Sequence, residues 1–272
     1  MSKQSGNSPR VIAIVNQKGG VGKTTTTINL ATALAATGLK TLMIDLDPQG
    51  NASTGLGLGQ GDRANSIYDV LLGGSSLRDV VVDTDIPNLR IAPANVNLAG
   101  AELELVDQDR RSYQLRDALE SLNNDEGDSN GLDYVLIDCP PSLNLLTLNA
   151  LAASDSVLVP LQCEFFALEG LSLLLRTIER VQAGLNPDLM MEGVLLTMYD
   201  GRNNLAQQVQ DDVRAYLGDD VFSTVIPRNI RLSEAPGYGL PALIFDHKCT
   251  GSQAYIALAA ELLKRNKDLR AA

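Results

Sequence analysis

Residues Gln17 to Thr25 read Gln-Lys-Gly-Gly-Val-Gly-Lys-Thr-Thr, between an apolar run, Val11-Ile12-Ala13-Ile14-Val15, and a helical stretch from Thr26 to Thr37. The β-branched run predicts a buried parallel strand. Strand, glycine-rich loop and helix in that order is the setting of a phosphate-binding loop. In such a loop successive backbone N–H groups face inward around phosphate oxygens, and the helix N-terminus adds partial positive charge. Gly19, Gly20 and Gly22 let the backbone turn tightly and approach a ligand without a Cβ in the way. Lys23 is placed to reach the β- and γ-phosphates, and the Thr24 hydroxyl to ligate Mg²⁺. The loop departs from G-x-x-x-x-G-K-[ST] at its first position, where Gln17 replaces glycine and a second lysine, Lys18, follows.

Two further apolar runs end in acids. Lys40 to Ile44 leads into Asp45-Leu46-Asp47-Pro48-Gln49-Gly50-Asn51. Carboxylates at the C-terminal end of a parallel strand project into the crevice where α/β proteins bind ligands. If the strand persists to Asp47, alternation points Asp45 and Asp47 the same way, before Pro48 ends it. Tyr134-Val135-Leu136-Ile137-Asp138-Cys139-Pro140-Pro141-Ser142 is a buried strand that delivers one carboxylate, Asp138, to Mg²⁺ opposite Thr24.

Strand runs continue at Val157 to Glu164 and Gly193 to Met198, with a short one around Phe222. Helical stretches are expected at Leu98 to Val106, Tyr113 to Leu122, Leu143 to Ala153, Leu168 to Gln182, Leu205 to Leu217 and Ser252 to Arg265. The alternation predicts one α/β domain with a mostly parallel sheet flanked by helices on both faces. Its expected extent is 10–266, with a disordered tail over 1–9, a short C-terminal tail over 267–272 and an exposed polar loop from Asn123 to Gly131. Three dispersed cysteines, Cys139, Cys163 and Cys249, point to free thiols, without a disulfide framework or a zinc site. The absence of an apolar leader or an 18-residue apolar run implies a soluble, cytoplasmic protein.

The lysine-bearing loop Gln17-Lys18-Gly19-Gly20, the string Asp-Leu-Asp-Pro-Gln-Gly-Asn from Asp45, Asp-Cys-Pro-Pro-Ser from Asp138, Gln-Cys-Glu-Phe-Phe-Ala-Leu-Glu-Gly-Leu from Gln162 and Pro-Arg-Asn-Ile-Arg-Leu-Ser-Glu-Ala-Pro-Gly from Pro227 occur together. By these the chain, from Val11 to about Leu263, resembles the ParA/MinD family of deviant Walker A ATPases, and most of all its chromosomal, Soj-type partition members. The resemblance implies a P-loop NTPase fold, with ATP and Mg²⁺ held by Lys18, Gly19, Gly20, Val21, Gly22, Lys23, Thr24 and Thr25. It implies that Lys18 acts in trans, across a homodimer, on the partner's nucleotide, while Lys23 acts in cis. Asp47 is then the residue that positions the attacking water and Asp45 an outer-shell partner of Mg²⁺. Met198, Pro227 and Asn229 are candidates for the adenine pocket, although plain packing would explain Met198 equally well.

A formal net charge of −11 means that DNA binding must be argued locally. The resemblance places nonspecific double-stranded DNA at Arg202, Arg231 and Lys248, with Arg228 open to either DNA or a structural or nucleotide-contacting role, and makes the protein nucleoid-associated. It also implies a ParB-like centromere-binding partner that stimulates hydrolysis. No N-terminal helix-turn-helix domain is apparent, so no operator recognition is expected. MinD proteins end in a membrane-inserting helix, but the Ala-rich segment from Ala254 to Arg265 is expected to pack on the sheet, and no membrane partner follows. A MinD-like division-site role and ParA-like positioning of a protein cargo are the alternatives.

Overall fold

A computed structural model describes residues 8–124 and 131–271. Positions 1–7 of the expected N-terminal tail, 125–130 of the polar loop and 272 lie outside the described residues. Seven strands form one sheet: β1 (Arg10–Ile14), β2 (Thr41–Asp45), β3 (Val82–Asp83), β4 (Leu89–Ala92), β5 (Tyr134–Asp138), β6 (Ser156–Gln162) and β7 (Met190–Thr197). Their order is β3-β4-β2-β5-β1-β6-β7. Every neighbouring pair is parallel except β3 with β4. The chain leaves central β1 in one direction to build β2, β4 and β5 and in the other to build β6 and β7, which opens a crevice at the strands' C-terminal ends.

The helices are α1 (Lys23–Ala36), α2 (Asn51–Gly55), α3 (Ile67–Leu71), α4 (Leu77–Val80), α5 (Ala101–Glu104), α6 (Gln114–Asn124), α7 (Leu145–Ala153), α8 (Ala167–Gly184), α9 (Asn204–Leu217), α10 (Ile230–Glu234), α11 (Ala242–Phe245) and α12 (Thr250–Ala271). Period-two alternation divides the core. Val11, Ala13, Leu42, Ile44, Val135 and Ile137 pack towards α6, α7, α8 and α9. Ile12, Ile14, Met43 and Leu136 pack towards α1 and α12. Parallel strands covered on both faces must be apolar along their length, which is why these runs are continuous rather than alternating with polar residues.

The fold class is the expected one, but some elements differ. β3 and β4 were not anticipated. The expected helix from Leu98 to Val106 is a 3₁₀ turn, Val96–Ala99, followed by the single turn of α5. The segment around Phe222 is not a strand. It makes only isolated bridges, Val194 with Val221 and Tyr199 with Pro227. The cause is Glu261 on α12, whose carboxylate takes the backbone N–H groups of Ser223 (2.7 Å) and Thr224 (2.8 Å) away from any ladder.

α12 runs beyond the expected Arg265 to Ala271. Its apolar stripe, Tyr255, Leu258, Ala259 and Leu262, is buried against α1 and the sheet, as an inward-packing last helix requires. The Tyr255 hydroxyl also shares a 3.1 Å hydrogen bond with Thr26 Oγ1 on α1. Among the described residues no helix is long and apolar enough to cross a membrane.

Candidate nucleotide site

The loop after β1 has the conformation its glycines allow. Gly20 and Gly22 lie at φ 74° and 90°, where a side chain would be strained. Asn16 fixes the start of the loop: its Oδ1 accepts from Lys18 N–H at 3.0 Å and its Nδ2 donates to Pro160 O at 2.7 Å. Thr197, at the end of β7, donates its hydroxyl to Val21 O at 2.8 Å and ties the far side. Gly22 begins α1 with no side-chain cap, so the first N–H groups of the helix have no side chain to satisfy them, which is what a phosphate requires. Lys23 is buried and folds back over the loop, with Nζ donating to Lys18 O at 3.1 Å. Burial lowers its pKa, opposed by the neighbouring Asp138, Cys139 and Asp47.

Asp45 and Asp138 are register partners on β2 and β5, and both are fully buried. Asp138 Oδ1 accepts from Thr27 Oγ1 at 3.1 Å, whereas Oδ2 is buried with no partner. Burial raises the Asp138 pKa, with Asp45 adding to the rise and the nearby Thr24 and Thr27 hydroxyls opposing it. An orphaned carboxylate oxygen beside Thr24 fits a magnesium site, in which Asp138 and Thr24 would hold the ion. Among the described residues no cluster of three or more His, Cys, Asp or Glu could hold a metal.

Asp45 is engaged differently. Its Oδ2 accepts from Ser53 N (2.9 Å) and Ser53 Oγ (2.7 Å), and its Oδ1 from Asp47 N (3.1 Å). Burial is the main cause that raises its pKa. The bond from Asp47 N to Asp45 turns the backbone, so β2 stops at Asp45 and the expected alternation does not extend to Asp47. Asp47 instead lies in a turn, 9% exposed, with Oδ1 accepting from Gln49 N at 3.0 Å.

Lys18 is exposed, and its Nζ pairs with Glu164 Oε2 at 2.5 Å. The bridge between Tyr199 and Pro227 brings together the segments that carry Met198, Pro227, Arg202, Arg228 and Arg231. Met198 holds φ 50°, unusual for a residue with a side chain. Asn229 caps α10 through Oδ1, accepting from Arg231 N, and donates Nδ2 to Thr250 Oγ1. Both ends of its amide are therefore engaged within the chain. Arg202 is ion-paired with Asp200 (2.8 Å), Arg231 with Glu234 (2.9 Å) and Asp246 (3.5 Å), and Lys248 is exposed. All three cysteines are free.

Sequence reasoning did not single out Thr27, Thr197, Ser53 or Arg63. Only Thr27 had a local signal, lying one helical turn beyond Lys23 on α1.

A family model described as AAA domain matches residues 9–191. Chromosome partitioning protein ParA of Caulobacter vibrioides (strain NA1000 / CB15N) is 59% identical over 268 residues, 98% of this chain and 98% of that protein. Sporulation initiation inhibitor protein Soj of Bacillus subtilis (strain 168) is 51% identical over 253 residues, 93% of this chain and 98% of Soj. Among solved structures, cobyrinic acid a,c-diamide synthase from Mycobacterium smegmatis, with bound ATP analog and magnesium, matches with a TM-score of 0.82 at 40% identity, covering 96% of each chain. With these relatives matched along nearly their whole length, and with the two-lysine loop and paired aspartates in place, this chain belongs to the ParA/MinD family of ATPases, among its chromosome-partitioning ParA and Soj members.

Proposed function

We propose that this chain is an Mg²⁺-dependent ATPase that drives DNA segregation as an ATP-dependent dimer on nonspecific DNA. The observation that carries the reading is the orphaned Asp138 Oδ2, buried at the end of β5 beside the phosphate loop. An unsatisfied buried carboxylate oxygen is costly, and a hard cation removes that cost. The loop amides and Lys23 bind the phosphates, and Thr24 and Asp138 would hold the ion, which would neutralise charge developing on the phosphates. Asp47 orients the attacking water. Met198, Pro227 and Asn229 line the base.

In this reading Lys18 leaves Glu164 and crosses to the partner's nucleotide, so dimerisation requires ATP on both sides. The dimer presents Arg202, Arg231 and Lys248 twice over to DNA phosphates, offsetting the net acidity of the chain locally. A ParB-like partner then stimulates hydrolysis and releases the dimer, which gives a cytoplasmic, nucleoid-associated protein. The apolar stripe of α12 packs inward and is not presented to a bilayer.

The test is hydrolysis of ATP by the purified chain, with and without Mg²⁺, duplex DNA and a ParB-like centromere-binding protein. The reading expects Mg²⁺-dependent turnover that rises when DNA and partner are present together. No ATP binding under any of these conditions would overturn it.

A further inference from the structure

Arg63 belongs to no motif, yet it is only 7% exposed. It ends the 3₁₀ turn Gln60–Arg63, and its guanidinium reaches back to the segment after β2. Nη1 donates to Gly50 O at 3.1 Å, and Nη2 donates to Thr54 Oγ1 at 2.8 Å and to Leu58 O. Its Nε is buried without a partner. Burial lowers the Arg63 pKa, with Asp45 the first of the carboxylates that oppose this. A buried guanidinium is a poor way to gain stability, since desolvation consumes most of what its contacts return. Its geometry is therefore the more informative feature.

That geometry centres on Gly50. Gly50 lies at φ 62°, and a Cβ there would collide with Arg63 Nη1. Its N–H donates to Asp47 O at 2.8 Å, closing the turn from Asp47 to Gly50, and its carbonyl also accepts from Thr54 N at 2.9 Å and Thr54 Oγ1 at 3.0 Å. On the other side of the same segment, the Asp45 carboxylate holds Asp47 N and Ser53. The stretch from Asp47 to Ser53 is thus gripped between a buried carboxylate and a buried guanidinium.

We propose that Arg63 is a positioning residue for Asp47: by fixing the Gly50 carbonyl it holds the turn from Asp47 to Gly50 in the geometry that orients the attacking water. This rests on the reading of Asp47 as the water-positioning residue. The side-chain contacts of Arg63 go to Gly50, Thr54 and Leu58, none of them in the phosphate loop, so its loss should disturb the rate and leave nucleotide affinity intact. A misplacement of about 1 Å in a catalytic group costs on the order of 10²-fold in rate.

The experiment compares the full chain as wild type, Arg63→Lys, Arg63→Gln, Asp47→Ala and the double variant Arg63→Gln/Asp47→Ala. Turnover of labelled ATP and equilibrium ATP binding are measured for each. Arg63→Gln is expected to lower kcat by about 10- to 100-fold with KM within about twofold of wild type, and Arg63→Lys to recover part of the loss through one retained donor. On the Asp47→Ala background Arg63→Gln should cost nothing further, because the residue it positions is gone. Wild-type kcat in a folded Arg63→Gln variant that binds ATP would overturn the proposal. So would an equal loss on both backgrounds, which a purely structural role gives. Should Arg63→Gln fail to fold, Arg63→Lys decides: wild-type kcat in that variant overturns the proposal, and a lowered kcat with unchanged KM supports it. Wild-type turnover by Asp47→Ala would instead sink the underlying reading of Asp47.

Discussion

Asp45 and Asp138 face each other as register partners on adjacent parallel strands, and only one of them has a free oxygen. The Asp45 carboxylate is filled by donors from Asp47 and Ser53, so it organises the segment that follows β2. The Asp138 carboxylate spends one oxygen on Thr27 and leaves the other buried without a partner. Two acids that look alike at strand ends are therefore engaged differently, one filled by donors of its own segment and one left with an unpartnered oxygen.

Their burial makes the metal-free protein sensitive to pH. An unfolded aspartate ionises near pH ~4. Folded Asp138 keeps its proton to higher pH because of burial and Asp45, so above pH ~4 the unfolded state binds fewer protons and stability falls as pH rises. Asp138→Asn cannot ionise and should remove up to about 1.4 kcal/mol per pH unit of that fall. Urea melts in a chelator at about pH 5 and about pH 8 check this, since both lie above the unfolded value. Identical pH dependence in variant and wild type would show that Asp138 carries no such proton. Asp45 retains its own share, so the dependence shrinks without vanishing.

Asp47→Ala should remove water positioning while sparing the loop amides, Lys23 and Asp138. The variant is expected to bind ATP, dimerise and stay on DNA, with hydrolysis slowed on the order of 10²-fold or more. Turnover at the wild-type rate would show that another group positions the water.

Arg202 and Arg231 are held by carboxylates of their own chain, and phosphate contact has to replace those exposed pairs, which are worth little. Each neutralised phosphate contributes a slope of roughly −0.9 to log affinity against log salt. In a dimer, Arg202→Ala/Arg231→Ala removes up to four contacts and should flatten that slope by about 3 to 4 units, equally for any duplex sequence. ATP binding should survive. An unchanged slope would move the DNA surface away from these loops.

The phosphate loop was legible because its chemistry is contiguous: glycines, both lysines and Thr24 lie within nine positions, flanked by a strand and a helix that periodicity identifies. Asp138 was legible because a buried apolar run ends on it. The partners of these residues were not legible. Lys18 meets Glu164 and Val21 meets Thr197 only through the order of strands, across 146 and 176 positions. Arg63 is closer to Gly50 in sequence, but it sits in a polar stretch with no periodicity, and only its burial reveals it. β3 and β4 escaped notice because they are two and four residues long, and Arg90 interrupts the apolar pattern of β4. The stretch around Phe222 is apolar enough for a strand, but its N–H groups are claimed by Glu261, which no local pattern shows.

Lys18 is proposed to serve the partner's nucleotide, although in the single chain it pairs with Glu164. Sedimentation velocity with Mg²⁺ and ATP tests it most directly, using Asp47→Ala to keep the nucleotide intact and Asp47→Ala/Lys18→Ala beside it, with ATP occupancy measured in both. A dimer is expected for the first and an ATP-bound monomer for the second. An equally stable dimer in both would contradict it.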